Sequence, residues 1–314
     1  MPTTDHSTFL HQAQRLKILC AGIASLILMV GIARFAYTPM LPLMQHQAGL
    51  GIAQGGWLAA FNYVGYFCGA LIAANIVDLV KKDRLYRLGL VVALITTVGL
   101  GLTQNFWVWS VLRFFAGLSS AAGLLLGSGL VMHWLLRHQL RSELGIHFIG
   151  MGAGIFLTAL FVYLAAGQIS WQQHWFWLTA IGLLLAFPAW FWLPRPNISG
   201  YNVSGDTMID HPPSAQFIQT VMLAYFCAWV GYAVVITFIV AHVNQIAGQQ
   251  DYGAITFMII GLAAAPACII WDLIARQLGN LNALLLAFIL QLAGMLIPIL
   301  SPGLIWTFIG AALF

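Results

Sequence analysis

Charged side chains are scarce in this sequence. The chain of 314 residues has 12 Lys and Arg and 8 Asp and Glu, so that 6% of its residues are charged. A soluble domain carries about 25% charged residues. Because a lipid-facing surface needs no charge, the deficit predicts a membrane protein in contact with the bilayer. It also excludes a polar basic domain, and therefore nucleic acid as a partner.

Cysteine is also rare, and the motifs of common enzymes are missing. The four cysteines lie singly inside apolar runs without a C-x-x-C pair, which indicates packing rather than a disulfide or metal site. No Walker loop, G-x-S-x-G or H-E-x-x-H motif occurs. A membrane-embedded enzyme would need clustered His or carboxylates at the membrane surface, and the sequence shows none. We therefore predict a protein that is not an enzyme and uses no cofactor or metal.

Long apolar runs make up most of the chain. A membrane-spanning helix needs about 20 mainly apolar residues. The sequence has nine such runs, and a tenth begins near residue 303, which predicts an all-α polytopic membrane protein. The runs cover residues 18–43, 53–77, 87–104, 107–132, 144–167, 174–193, 217–241, 253–274 and 281–300.

The basic residues occur at alternate ends of the predicted spans. Ten of the twelve lie before the first span or in every second connection, and the other connections have none. The positive-inside rule then predicts a multi-pass protein of the cell inner membrane with a cytoplasmic N-terminus. The one long polar connection, rich in Pro, Gly, Ser and Asp, predicts a linker. The expected organisation is a cytoplasmic N-terminus 1–17, a six-helix bundle 18–193, a cytoplasmic linker 194–216 and an incomplete second bundle 217–314.

Three stretches carry a resemblance to a known family. They are residues 31–44 (GIARFAYTPMLPLM), 56–66 (GWLAAFNYVGY) and 113–121 (RFFAGLSSA). The first two together resemble the YbfB/YjiJ-type branch of the major facilitator superfamily, and the third is similar to the superfamily's fourth-helix motif. The resemblance implies a major facilitator fold with about ten of its twelve helices present. The chain departs from the superfamily at Ala74, where a Gly is expected, and its fifth span lacks the expected Gly-Pro.

Two arginines lie inside predicted spans. An intramembrane Arg is costly, so Arg34 and Arg113 are expected to face a cavity or a partner. The alternatives are that Arg34 snorkels to the interface and that Arg113 is satisfied by backbone carbonyls. Since no Asp or Glu lies in the middle of a span, two cations facing one cavity would favour an anionic substrate.

Other polar residues accompany these arginines. Asn62 and Tyr66 share one helix face, and Tyr37 follows Arg34 by three residues. We therefore predict that Arg34, Tyr37, Asn62, Tyr66 and Arg113 form a substrate-binding or coupling site, with packing as the alternative for the tyrosines. Weaker candidates for the site are Trp229, Tyr232, Thr256 and Gln291, and the alternative for them is interhelical hydrogen bonding or lipid contact. His147 is a titratable candidate for proton coupling, but a place at the cytoplasmic interface is expected for it.

A charged cluster follows the second span. Asp78, Lys81 and Lys82 are predicted to form a cytoplasmic gate, and the alternative is that the bases only fix the loop inside. The resemblance implies secondary active transport of a small molecule by alternating access, with an ion gradient, such as that of protons, as the driving force. The alternative is an inactive truncated transporter remnant or a membrane interaction or regulatory protein.

Overall fold

The protein is almost entirely helical. A computed structural model describes residues 4–140, 144–197, 214–247, 251–301 and 303–314. Within these ranges we number ten helices, α1 to α10, and there is no strand. Their bounds are α1 Thr4–Ala48, α2 Ile52–Ala74, α3 Leu79–Leu102, α4 Phe106–Arg137, α5 Leu144–Ala165, α6 Trp171–Phe191, α7 Ala215–Ala247, α8 Asp251–Leu278, α9 Asn280–Leu300 and α10 Leu304–Leu313.

The helices confirm the predicted membrane architecture. Over the described residues, nine helices are long and apolar enough to span a bilayer, and α10 is shorter. Large apolar side chains on their outer faces are widely exposed, as lipid-facing surface requires. Residues 198–213, most of the predicted linker, lie outside the described residues.

Side-chain caps fix where several helices begin. Asp78 caps α3 by accepting hydrogen bonds from the backbone N–H groups of Val80 and Lys81, with distances of 2.8 and 3.4 Å. Because this cap starts α3 at Leu79, the run that was expected to begin at residue 87 is eight residues longer. The basic residues within 81–87 therefore belong to helix α3. The sequence had suggested that they lie in a loop.

Helix α1 changes its winding near its middle. Residues Ile27–Phe35 form a π-helical segment between α-helical Thr4–Leu26 and Tyr37–Ala48. The N–H of Ala36 bonds to the carbonyl of Gly31 at 2.8 Å, five residues earlier. Pro39 follows and has no N–H to give, so this turn has fewer backbone donors than a regular helix. Carbonyl groups of this segment consequently need donors from other helices.

Glycines allow two pairs of helices to approach closely. Gly31 of α1 faces Gly154 of α5, and a Cβ built on Gly31 lies 2.6 Å from the Cα of Gly154. Gly152 and Gly261 bring α5 against α8 in the same way. Small residues are the usual means of close packing in membranes, where no hydrophobic effect drives helices together.

Gly31→Ala is expected to destabilise the protein. The added methyl group meets the backbone of Gly154, which cannot rotate away, and overpacking of this kind costs about 1–3 kcal/mol. Gly129→Ala is the matched control, because no atom lies within 4 Å of its added Cβ. Thermal unfolding in detergent, followed by tryptophan fluorescence, measures both, and equal midpoints for the two variants would contradict the packing described here.

Candidate functional site

Arg34 is buried in the π-helical segment of α1. Its side chain is 4% exposed. Four aromatic rings surround the guanidinium, with Cζ-to-centroid distances of 4.5 Å for Tyr66 and 5.2 Å for each of the others. We call these four residues the Arg34 cage: Phe35, Tyr63, Tyr66 and Trp229.

The cage does not provide hydrogen-bond acceptors for the whole guanidinium. Nε and Nη2 of Arg34 are buried and have no hydrogen-bond partner among the described residues. Cation–π contacts contribute about 0.5–2 kcal/mol each and offset part of the desolvation. They leave both N–H groups without an acceptor, and a buried unsatisfied group of this kind calls for an explanation. These are two donors on a fixed cation at the contact between α1, α2 and α7.

Arg113 of α4 lies beside Arg34 but has different partners. Its Nη1 donates to the carbonyls of Ala33 and Arg34, at 3.1 and 3.4 Å, and its Nη2 donates to Arg34 at 3.4 Å. Its Cζ lies 4.4 Å from the ring centre of Tyr37. Only its Nε lacks a partner among the described residues. Arg113 therefore supplies donors that the turn before Pro39 lacks, and thereby fixes the backbone that carries Arg34.

The structure brings all five predicted site residues together. The amide of Asn62 donates to the carbonyl of Arg113 at 2.9 Å, and the hydroxyl of Tyr37 donates to the carbonyl of Gly55 at 2.9 Å. Both side chains are buried and bonded to backbone, so they join α1, α2 and α4. Arg34 and Tyr66 form the other half of the group, in the cage.

Of the four cage residues, only Tyr66 was among the predicted site residues. Phe35 was not singled out, and Trp229 was only a weak candidate, since 195 residues of chain separate it from Arg34. Tyr63 also bridges helices, because its hydroxyl lies 3.2 Å from the carbonyl of Ala233 and 3.0 Å from Oγ1 of Thr237. No sequence signal links α7 to Arg34; only the packing does.

A cavity of about 720 Å³ adjoins the cage. Trp229 belongs to both, because it contacts Arg34 and lines the cavity. Gln291 is the one amide side chain among the described residues that line the cavity, and its Nε2 donates to the carbonyl of Ala228 at 3.1 Å. The lining residues come from α4, α5, α7, α8 and α9, together with Phe314 after α10, and they include Leu124, Met151, Cys268 and the aromatic residues Phe148, Tyr225, Trp229, Tyr232, Phe288 and Phe314.

The predicted gate residues lie at the start of α3. Asp78 and Lys81 are exposed and Lys82 is half-buried. Asp78 is occupied in capping the helix. We refer to the end of the molecule that carries these residues as the basic end.

An ion cluster that the sequence did not predict lies at the basic end. Asp83 is 1% exposed and pairs with Arg87, whose Nε lies 3.1 Å from Oδ1, and with Arg195 after α6. Arg87 also donates to the carbonyls of Trp190 and Leu193. The sequence did not predict this ion cluster, because residues 81–87 were interpreted as a loop. Asp83 is thus a buried carboxylate within a membrane helix, although it lies at the basic end and not in the middle of the span.

His147, which was expected at the cytoplasmic interface, is buried between helices near the start of α5. It is fully buried, its Nε2 lies 2.8 Å from Oγ of Ser128, and its ring packs against Gly22. Gly22 leaves the space between α1 and α5 that the ring fills. Of the other weak candidates, Thr256 is buried and its hydroxyl donates to the carbonyl of Tyr252 at 2.7 Å.

Known proteins of similar sequence are membrane transporters. The chain is 25% identical over 170 residues to the uncharacterized MFS-type transporter YcaD of Salmonella arizonae, which covers 54% of this chain and 42% of that protein. It is 30% identical over 97 residues to the uncharacterized MFS-type transporter YceJ of Bacillus subtilis, covering 31% and 25%. The chain thus spans less than half the length of these relatives.

Solved structures of similar fold are transporters as well. The nucleoside transporter NupG matches with a TM-score of 0.66 and 12% identity, over 96% of this chain and 78% of that chain. A D-xylose-proton symporter matches with a TM-score of 0.59 and 12% identity, over 95% and 79%. A bacterial homologue of the lysosomal transporter Spinster matches at 0.61 and 17%, over 96% and 72%. At these identities the likeness shows the fold, which is that of the major facilitator superfamily.

The family itself is shown by a match along most of the sequence. Residues 26–314 match the model of the family described as "Uncharacterised MFS-type transporter YbfB". This agrees with the all-helical fold and with the predicted resemblance, and it points to a multi-pass membrane transporter and not to an enzyme. The chain belongs to the YbfB family of major facilitator transporters.

Proposed function

We propose that this chain carries a small organic anion across the cell inner membrane by secondary active transport, with Arg34 as the anion-binding residue. One observation supports the proposal most: a buried guanidinium with two unpartnered donor nitrogens, Nε and Nη2, lies where α1 and α2 meet α7. Charged groups inside a membrane protein are costly and tend to mark a transport pathway. A carboxylate would accept hydrogen bonds from both N–H groups and neutralise the charge.

The helix contacts suggest how access to this site could alternate. Away from the basic end, Oγ1 of Thr38 donates to the carbonyl of Ile236 at 3.1 Å, and Tyr63 contacts Ala233, so α1 and α2 are closed against α7. The cavity lies on the other side of the cage, towards the basic end. We propose that the basic end is cytoplasmic and that the cavity faces it. Bundles 18–193 and 217–314, joined by the linker 194–216, would rock about the cage.

Uptake into proteoliposomes tests the function. Labelled benzoate, 2-naphthoate, lactate and succinate are offered together with a neutral and a cationic control, 2-naphthamide and 2-naphthylmethylammonium. We expect saturable uptake of at least one anion, driven by a proton or sodium gradient and lost in Arg34→Gln. Saturable uptake of the controls alone, uptake that Arg34→Gln leaves unchanged, or no saturable uptake at all would overturn the proposal.

In the same scheme, Asp78, Lys81 and Lys82 form the gate at the basic end. The role of Asp78 in the gate can be separated from its role as a helix cap. Asn caps a helix as well as Asp does, whereas Ala costs about 0.5–2 kcal/mol. Asp78→Asn is therefore expected to keep the unfolding midpoint and to slow transport, because it removes only the charge. Asp78→Ala should lower both the midpoint and the rate.

Transport and thermal unfolding of the two variants, measured in parallel, decide between the roles. If Asp78→Asn transports at the unsubstituted rate while Asp78→Ala unfolds earlier, Asp78 is a cap and the gate proposal fails.

A further inference from the structure

The cavity beside the cage has an unusual wall for a site that binds a polar solute. Six of its lining residues are aromatic, and none of the described residues that line it is charged. The amide of Gln291, which also lines the cavity, already donates to a backbone carbonyl. A solute with many hydroxyl groups would lose its bonds to water here and find few replacements, at a cost for each group. The cavity is therefore suited to an apolar body.

The cage holds one positive charge behind this apolar wall, because Trp229 both lines the cavity and contacts Arg34. Trp229 stacks on Tyr66, with ring centres 5.8 Å apart, and meets Tyr232 edge-on at 5.0 Å. The three rings are packed in series from the Arg34 guanidinium to the cavity, which Trp229 and Tyr232 line. Nε and Nη2 of Arg34 are buried behind these rings, so a ligand in the cavity would reach the guanidinium once Trp229 turns aside, with its body still against the aromatic wall.

The number of charged groups at the site limits the charge that the ligand can carry. Among the described residues, the site holds one guanidinium with both Nε and Nη2 unpartnered, because the Nη atoms of Arg113 donate to backbone. A second carboxylate on the ligand would find no equivalent partner. An ammonium group would lack a carboxylate, since none of the described Asp or Glu side chains lines the cavity. The wall therefore disfavours dianions and zwitterions.

Resting on the proposed function, we infer that the substrate is an amphipathic monoanion: one carboxylate bound by Arg34, and an aromatic body held in the cavity. The cavity of about 720 Å³ falls within the range of about 300–1,000 Å³ that holds drug-sized ligands. A two-ring body fits within this volume, and its rings can stack on Trp229 or Tyr232.

Equilibrium binding to the full chain in lipid nanodiscs tests the class of substrate. Labelled 2-naphthoate is the probe, and the competitors are 2-naphthamide, 2-naphthylmethylammonium, acetate, gluconate and 2,6-naphthalenedicarboxylate. We expect 2-naphthoate to bind at least about tenfold more tightly than each competitor, and Arg34→Gln to abolish the difference between the acid and its amide.

A pair of aromatic variants tests the location of the ligand body. Phe288 lines the cavity and contacts Tyr225, whereas Phe226, on the same helix as Trp229, is exposed on the outer face. Phe288→Ala should weaken 2-naphthoate binding about 3- to 10-fold and leave acetate unchanged. Phe226→Ala, the matched control, should change neither.

The outcomes separate this inference from the proposed function. Gluconate or acetate binding through Arg34 as tightly as 2-naphthoate would overturn the amphipathic class and leave anion transport standing. Equal binding of acid and amide, unaffected by Arg34→Gln, would overturn both. Equal effects of Phe288→Ala and Phe226→Ala would remove the cavity from the binding site.

Discussion

Arg34→Gln is expected to weaken the binding of an organic anion about 10- to 150-fold. The substitution removes hydrogen bonds to a charged partner, which contribute about 1.5–3 kcal/mol, and each 1.4 kcal/mol is tenfold in affinity. Arg34→Lys should retain part of the affinity, since it keeps the charge but not the planar fork that binds a carboxylate with two parallel bonds. The dissociation constant of 2-naphthoate in nanodiscs measures the effect.

The control for this variant is Arg84→Gln. Arg84 is an exposed arginine on α3, and its loss reports any general effect of one positive charge. Binding that falls equally in both variants would mean that Arg34 acts only through the overall field of the protein. Binding that persists unchanged in Arg34→Gln would remove Arg34 from the site.

Arg113→Met is expected to have the larger effect on stability. Arg113 donates to the buried carbonyls of Ala33 and Arg34, and each acceptor left unsatisfied costs about 1–3 kcal/mol. Arg34→Met removes a buried charge with two unpartnered N–H groups, so the desolvation that it relieves offsets the lost cation–π contacts. The ligand-free Arg34→Met protein should therefore be at least as stable as the unsubstituted one.

Thermal or denaturant unfolding of the two methionine variants separates a positioning residue from a binding residue. The sequence suggested the same role for both arginines, and the structure gives them different partners. A stable Arg113→Met protein that binds no anion would show that Arg113 contacts the ligand itself. An Arg34→Met protein that unfolds as early as Arg113→Met would show that the cage is structural.

The spans could be read from the sequence because they depend on local properties. Each helix in a bilayer satisfies its own backbone, so a run of about 20 apolar residues is enough to predict it. The errors lay at the ends of the predicted helices, because single side chains determine where a helix begins. The cap at Asp78 begins α3 at Leu79. Asp83 therefore lies within the helix, where it belongs to a buried ion cluster that hydropathy alone did not indicate.

Arg34 and Arg113 could also be singled out from the sequence, since a charge within an apolar run is costly wherever the helix packs. The partners of these two arginines could not be predicted from the sequence. The difference between a guanidinium bonded to carbonyls and one enclosed by rings depends on the angle and depth at which helices meet. His147 shows the same limit, because its burial depends on the space that Gly22 leaves in another helix.

The sequence by itself therefore determined the membrane class, the number and positions of the helices, the family resemblance and the two arginines. These follow from the cost of exposing polar groups to lipid, a property of each segment alone. Only the tertiary structure decided which arginine has free N–H groups, because Trp229 reaches Arg34 through the packing of α7 against α1 and α2. The cavity has the same origin, since its wall is assembled from five helices and Phe314, which have no local signal in common.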